Sequence, residues 1–160
     1  MVNQISGNLD GQNLKIAIVV SQFNEYLTDR LLSGAKDALA RCGVLEKNVL
    51  VVRVPGSLEL AQAALHIAKK GQIDALIALG VVVKGETAHF DYVASEAARG
   101  VAEIARETGL PMTFGVLTTY TVEQAMDRSG GKLGNRGYDV AESAVKMATL
   151  FKEADQINQP

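Results

Sequence analysis

At 160 residues with 48% hydrophobic content, the chain has the size and apolar share of one compact domain with a real core. Sixteen basic against eighteen acidic side chains leave a formal net charge of −2, which excludes a global field for nucleic acid or an anionic membrane, so any anion must be met by a local site. A single cysteine, Cys42, excludes an internal disulfide, and two histidines without a Cys/His cluster exclude an ordinary structural zinc site, a pattern expected of a cytoplasmic protein.

The first residues, MVNQISGNLDGQNLK, are polar and rich in Gly and Asn, and no basic stretch precedes an apolar run, so no targeting signal is expected. Residues 1–13 are predicted to form an N-terminal arm with nothing evident to pack on, and residues 14–160 a single α/β domain. Beyond the arm, short apolar runs alternate with longer segments of helical period. KIAIVV is followed by LTDRLLSGAKDALARC, VLVVRV by LELAQAALHIAKK, IDALIALGVVV by HFDYVASEAARGVAEIARE, and MTFGVLTT by two further helical stretches. The strands are continuously apolar rather than alternating, which predicts a sheet covered on both faces. A doubly wound α/β fold follows, with four parallel strands flanked by helices and joined by right-handed crossovers. No uncharged apolar stretch is long enough to cross a bilayer. Four strands are few for a lone sheet, and the apolar helix faces predict an oligomer.

Open parallel sheets bind ligands beyond the carboxyl ends of their strands. Four segments therefore carry the functional reading: SQFNEY, PGSLE, VKGETAH and TTYTVEQAMDR. In the third, Gly85 permits close approach of a ligand to the backbone, Thr87 fits an N-cap, and the amides of Gly85, Glu86 and Thr87 offer partial positive charge to a phosphate. The same KGET run also fits a plain capped turn. His89 falls in the first turn of the next helix, where the dipole favours a neutral ring able to take a proton; an ordinary surface role is its alternative. His66, in the middle of AALHIAKK, has no such setting and reads as structural.

In the first segment Phe23 supplies an apolar plate and Asn24 an amide that donates and accepts, a pairing suited to a flat heteroaromatic ring, although Phe23 fits a core plug equally. The second offers a Pro-Gly turn and then Glu59, a carboxylate placed either to accept from ligand hydroxyls or to cap a helix. The fourth supplies Thr118, Thr119 and Arg128, and the GGKLGNRG run beyond it adds Lys132 and Arg136. Arg128 has the fork geometry of phosphate recognition, with a surface ion pair as its plainer role. No GxxxxGK[ST] occurs and no GxGxxG follows the first strand, which disfavours the usual nucleotide-binding loops.

The segments SQFNEYLTDRLLSGA, RVPGSLELA, DALIALGVVVKGETAHFDYV, FGVLTT and AMDRSGGKLGNRGYDVAESAVKM, in this order and spacing, closely resemble the 6,7-dimethyl-8-ribityllumazine synthases of riboflavin biosynthesis. The resemblance covers nearly the whole chain after about Leu14, and the block from Gly80 to Val93 matches without a gap. It implies a flavodoxin-like sandwich and a transferase that condenses 5-amino-6-ribitylamino-uracil with 3,4-dihydroxy-2-butanone 4-phosphate, releasing phosphate and water, with neither metal nor cofactor. It further implies that Phe23 stacks on the pyrimidine, that Asn24 and the backbone around Ser57 and Leu58 help hold the ribityl chain, and that Glu59 accepts from its hydroxyls. Val81, Val82 and Val83 would line the ring pocket, Gly85, Glu86 and Thr87 would surround the phosphate, and His89 would transfer protons. Phe114 and Arg128 would come from the adjacent subunit, with Arg128 on the phosphate and Arg136 among the substrate-binding residues.

Three positions depart from the family pattern. Leu58 stands where many members carry an aromatic or larger aliphatic residue, Ala61 replaces a common proline, and Arg136 replaces a lysine, keeping the charge with a different geometry. The partners implied are two small-molecule substrates and further copies of the chain, as a pentamer or a sixty-subunit shell of pentamers, the compact GGKLGN turn resembling the shell formers. Riboflavin synthase is a further implied partner, while neither nucleic acid nor membrane is expected. Two other readings compete. A receiver-like signalling domain shares the topology but needs an acidic cluster at strand ends that here read SQFN and VKGE. A shell protein that binds a flavin precursor without turning it over would use nearly the same residues.

Overall fold

The structure is a computed structural model that describes residues 2–157; Met1 of the expected arm and residues 158–160 of the expected domain lie outside the described residues. In chain order the elements are β1 (Ile16–Ser21), α1 (Glu25–Arg41), β2 (Val49–Val54), α2 (Leu60–Ala68), β3 (Ala75–Val83), α3 (His89–Thr108), β4 (Met112–Thr119), α4 (Val122–Arg128), the short strands β5 (Ser129–Gly131) and β6 (Gly134–Asn135), and α5 (Arg136–Ile157). A single 3-10 turn, Ser57–Glu59, leads into α2.

Strands β1 to β4 form one parallel sheet in the order β2-β1-β3-β4. The central strands read as continuous apolar runs because both of their faces are covered: every residue of β1 is buried, and every residue of β3 except Val83. Successive side chains then divide between two cores. Ile16, Ile18, Val20, Ile77 and Leu79 pack with Leu31 of α1 and Ala144 of α5. Ala17, Val19, Leu76 and Ala78 pack with Leu60 and Ala64 of α2 and Val101 of α3. Truncating a fully buried residue such as Ile18 or Leu79 to alanine costs about 2–5 kcal/mol, the lost transfer energy plus the cavity left behind.

The segments VLVVRV and MTFGVLTT coincide with β2 and β4, and the ends of the other predicted elements shift by no more than about two residues, the usual uncertainty of helix and strand ends. Two features differ from the sequence reading. The GGKLGN turn closes into an antiparallel β5-β6 hairpin, with Gly134 in the left-handed region at φ 81°. Asn135 fastens it, donating from Nδ2 to the Arg30 carbonyl at 3.0 Å and accepting at Oδ1 from the Gly137 and Tyr138 amides at 2.8 and 3.2 Å, so one side chain both ties the hairpin to α1 and caps α5. The arm, expected to lack a packing surface, lies on α5. The Asn8 amide donates to Thr149 Oγ1 at 2.9 Å, and Gly7 sits so close to the Lys146 carbonyl that no Cβ would fit. These contacts run through backbone groups and a single hydroxyl, which leave no hydrophobic pattern in the sequence.

The chain steps from β1 out to β2, then returns across β1 to β3 and continues to β4. The strand order therefore reverses between β1 and β3, as in flavodoxin-like sheets, and the crevice beyond their carboxyl ends is the place where such sheets bind ligands.

Candidate active site

A cavity of about 490 Å³ opens at that crevice, a volume typical of small-molecule sites. Val81, Val82 and Val83 line it from the end of β3, Phe23 from the β1–α1 turn, and Ser57, Leu58 and Glu59 from the 3-10 turn after β2. Gly85, Thr87 and His89 approach from the loop into α3. These ten residues of the predicted set share one wall of solvent-facing space. Gly56, Phe90 and Val93 line it as well and were not anticipated. Phe90 and Val93 are one helical turn apart, so an apolar i, i+3 pair beside a histidine was the available signal; for Gly56 it was the Pro-Gly turn.

Phe23 is 71% exposed, which rules out a core plug. The amides of Gln22 and Phe23 donate to the carbonyls of Val54 and Pro55 at 2.7 and 3.0 Å, extending the β1–β2 pairing and leaving the ring free beside the cavity. Asn24 adopts a left-handed backbone (φ 60°, ψ 44°) where α1 begins. Asparagine tolerates this conformation better than most residues, at roughly 1–3 kcal/mol. Its side chain does not cap the helix; Nδ2 donates to the Val81 carbonyl at 3.2 Å and so braces the β1–α1 turn against β3. Asn24 thus adjoins the cavity without lining it.

Glu59 occupies the N-cap position of α2, yet its side chain caps nothing. The carboxylate folds over Gly56, where a Cβ would stand 3.1 Å from Oε2, and among the described residues it forms no ion pair. A carboxylate with all its acceptor capacity open beside a cavity is equipped to receive hydroxyl or amide protons from a ligand.

At the third strand end the expected cap is displaced by one residue. Ala88, not Thr87, holds the N-cap position of α3, and no side chain caps this helix. The Thr87 hydroxyl instead lies 3.2 Å from His89 Nδ1. Among the described residues the amides of Gly85, Glu86 and Thr87 donate to no protein group, so they remain available ahead of a twenty-residue helix whose dipole favours an anion there. Glu86 is exposed and its side chain does not line the cavity.

Besides Asn24 and Glu86, three predicted residues do not line this cavity within one chain. Phe114 is half-buried against the core that faces α2 and α3. Arg128 and Arg136 line a second cleft of about 320 Å³, together with Thr118, Thr119 and Tyr120. Arg128 donates from Nη1 to the Gln124 carbonyl at 3.0 Å and has no acidic partner among the described residues, so the surface ion pair is not its role in this chain. Lys132 does form such a pair, with Asp127 at 3.6 Å. The Phe90 and Tyr120 rings, with centroids 6.0 Å apart, stand between the cavity and the cleft, and Lys84 Nζ lies 5.5 Å from the Tyr120 centroid.

A larger hollow of about 860 Å³ lies at the opposite, amino end of the sheet and contains none of the predicted residues; its one carboxylate, Asp74, is already engaged by the Lys15 amide at 2.8 Å and by Lys152 at 3.5 Å. Among the described residues no group of three or more His, Cys, Asp or Glu side chains is placed to hold a metal, and no helix is long and apolar enough to cross a membrane.

In comparisons with known proteins, the family model described as 6,7-dimethyl-8-ribityllumazine synthase matches residues 13–152, which includes every residue of the cavity and of the arginine cleft. Among solved structures, a de novo designed Rossmann fold protein aligns at 15% identity over 70% of this chain and 90% of its own, with a TM-score of 0.40.

Proposed function

The chain belongs to the 6,7-dimethyl-8-ribityllumazine synthase family, transferases of riboflavin biosynthesis, and from that membership we propose that it condenses 5-amino-6-ribitylamino-uracil with 3,4-dihydroxy-2-butanone 4-phosphate. The observation that carries this reading is the convergence, at one strand-order reversal, of an exposed aromatic ring, an unpaired carboxylate, a histidine and three open amides. Phe23 offers a face to the pyrimidine, Glu59 accepts from the ribityl hydroxyls, and the Gly85–Thr87 amides meet phosphate.

In the proposed sequence the 5-amino group adds to the butanone carbonyl and a first water leaves, giving an imine. Removal of a proton from the carbon bearing the hydroxyl lets the phosphate depart with the electron pair of its carbon–oxygen bond, and tautomerisation leaves a new carbonyl and a methyl group. The nitrogen carrying the ribityl chain closes on that carbonyl, and a second water is lost. No step requires redox chemistry. The chain's contribution is to hold two reactants in register and to move protons at His89. Because Arg128 and Arg136 line a cleft separate from the cavity of their own chain, the cations that join the Gly85–Thr87 amides around the phosphate in a complete site are assigned to a neighbouring copy, Phe114 included. That assignment makes the functional unit a homo-oligomer, a pentamer or a shell of pentamers, acting in the cytoplasm. The test is to mix the protein with both substrates and follow lumazine absorbance: formation faster than the spontaneous background is expected, and a trace equal to background would leave only a binding protein.

A further inference from the structure

Ser21, the last residue of β1, is fully buried, and its Oγ has no hydrogen-bond partner among the described residues. Buried hydroxyls nearly always have one, so an orphan calls for a reason. Alternation along β1 puts Ser21 on the face of Ala17 and Val19, toward α2 and α3. Because Val20 pairs with Leu79, Ser21 falls beside Gly80 of β3. Ser57 reaches the same place from the 3-10 turn after β2; it is 5% exposed, and it lines the cavity. A Cβ on Gly80 would stand 2.5 Å from Ser57 Oγ, 3.1 Å from Ser21 Oγ and 3.4 Å from Leu60 Cδ1. Glycine at this position is therefore what leaves room for two hydroxyls above the strand, Ser57 facing the cavity and Ser21 behind it.

We propose that Ser21 and Ser57 form a two-hydroxyl relay at the base of a polyol subsite, in which Ser57 contacts a ligand hydroxyl and Ser21 is a positioning residue acting through Ser57, an inference that rests on the function proposed for this cavity. A hydroxyl both donates and accepts. When Ser57 donates to a ligand oxygen, its own oxygen becomes the better acceptor, and Ser21 supplies the proton that completes the chain; each bond polarises the next in surroundings closed by Leu60. The two hydroxyls are not hydrogen-bonded to each other in the structure, so the proposed relay forms by rotation about χ1 at the serines. The pair carries no charge, so it suits a neutral hydroxyl rather than a phosphate, which the open amides at Gly85–Thr87 meet elsewhere. Ligand binding at Ser57 then draws the Ser21 hydroxyl into a hydrogen bond that it does not make with any other described residue.

The experiment titrates the wild-type protein, Ser21→Ala, Ser57→Ala and the double variant with three ligands: the ribitylaminopyrimidine, the same pyrimidine carrying a methylamino group in place of the ribitylamino group, and the butanone phosphate. Ser21→Ala is expected to weaken the first by about five- to tenfold, the worth of one hydrogen bond, and to leave the other two unchanged. Its thermal midpoint should equal or exceed that of the wild type, since the substitution removes an unpaired buried hydroxyl. In the Ser57→Ala background the Ser21 substitution should have no further effect, because the two act as one unit. Equal weakening of both pyrimidines, no weakening of either, or full additivity with Ser57→Ala would overturn the relay. Failure of the wild-type protein to bind either pyrimidine would overturn the proposed function and the relay together, whereas the three results just named leave that function standing.

Discussion

The Thr87 hydroxyl lies 3.2 Å from Nδ1 of His89, and both residues line the cavity. The contact occupies one ring nitrogen, so in the proposed mechanism Nε2 is the atom that exchanges protons with a ligand. When the hydroxyl accepts from Nδ1–H, Nε2 holds a lone pair and acts as a base; when the hydroxyl donates to Nδ1, Nε2 carries the proton. Either arrangement serves part of the proposed condensation, which takes a proton before phosphate leaves and returns one as water is lost.

His89→Ala should lower turnover by about tenfold while leaving the binding of both substrates nearly intact. The loss is smaller than the about 10²–10⁴-fold typical of one proton-transfer group, because positioning two reactants that also condense without the enzyme supplies most of the acceleration. Thr87→Val should give a smaller loss with an altered pH profile. Rates and pH profiles identical to wild type in both variants would remove His89 from the mechanism.

Arg128→Ala should weaken the butanone phosphate by tenfold or more, on the order expected for a charge-assisted phosphate contact, with little change for the pyrimidine. The motivation is a guanidinium with one backbone contact and no acidic partner among the described residues. Separate titrations decide it, and equal losses for both ligands would mark a structural role.

Because Arg128 lies in a cleft apart from the cavity that holds His89, a site shared between copies permits complementation. His89→Ala and Arg128→Ala chains, unfolded and refolded together in equal amounts, should yield about one intact site in four by random assembly in a ring. Activity above that of either variant refolded alone, and above a mixture of the preformed oligomers, is the expected outcome. Demonstrably mixed oligomers with only the parents' average activity would place the whole site in one chain.

Cys42 sits in the core between the sheet and helices α1 and α5, where burial pushes its thiol above the ordinary value of 9.0; Glu142 adds to the shift and Lys146 opposes it. A thiol whose folded value is raised contributes stability that is fully present below pH 9.0 and is lost as pH rises through the folded value, since the unfolded chain gives up its proton first. Denaturant unfolding at a series of pH values should show stability declining on the alkaline side, with a shallower decline in Cys42→Ala. Parallel curves for the two proteins would remove the thiol from that dependence.

The sheet was legible because its central strands are continuous apolar runs, its outer strands are mostly apolar, and each is bounded by polar turns. At the strand ends, Phe23, Glu59 and His89 stood out because residue types with distinct chemistry occur where parallel sheets bind ligands, and the structure gathers all three around one cavity. Thr87 was misplaced as a cap because sequence signals fix helix ends only to within a residue or two, and the turn at Ala88 frees its hydroxyl for His89. Neither the place of Ser21 nor the tie between Asn135 and Arg30 carried a signal. The setting of one and the bond of the other to α1 depend on residues far along the chain, Ser57 and Gly80 for Ser21 and Arg30 for Asn135, which only the packed fold brings near.

The most direct test of the cavity as the condensation site is the initial rate of lumazine formation, corrected for the spontaneous reaction, in the wild type and in the double variant Phe23→Ala/Glu59→Ala. Phe23 is exposed and Glu59 bonds to no other side chain among the described residues, so the variant should keep the wild-type circular dichroism and thermal midpoint. The wild type is predicted to outrun the background and the double variant to fall to it, having lost both the ring platform and the hydroxyl acceptor. A folded double variant that forms lumazine at the wild-type rate would place the chemistry somewhere other than this cavity.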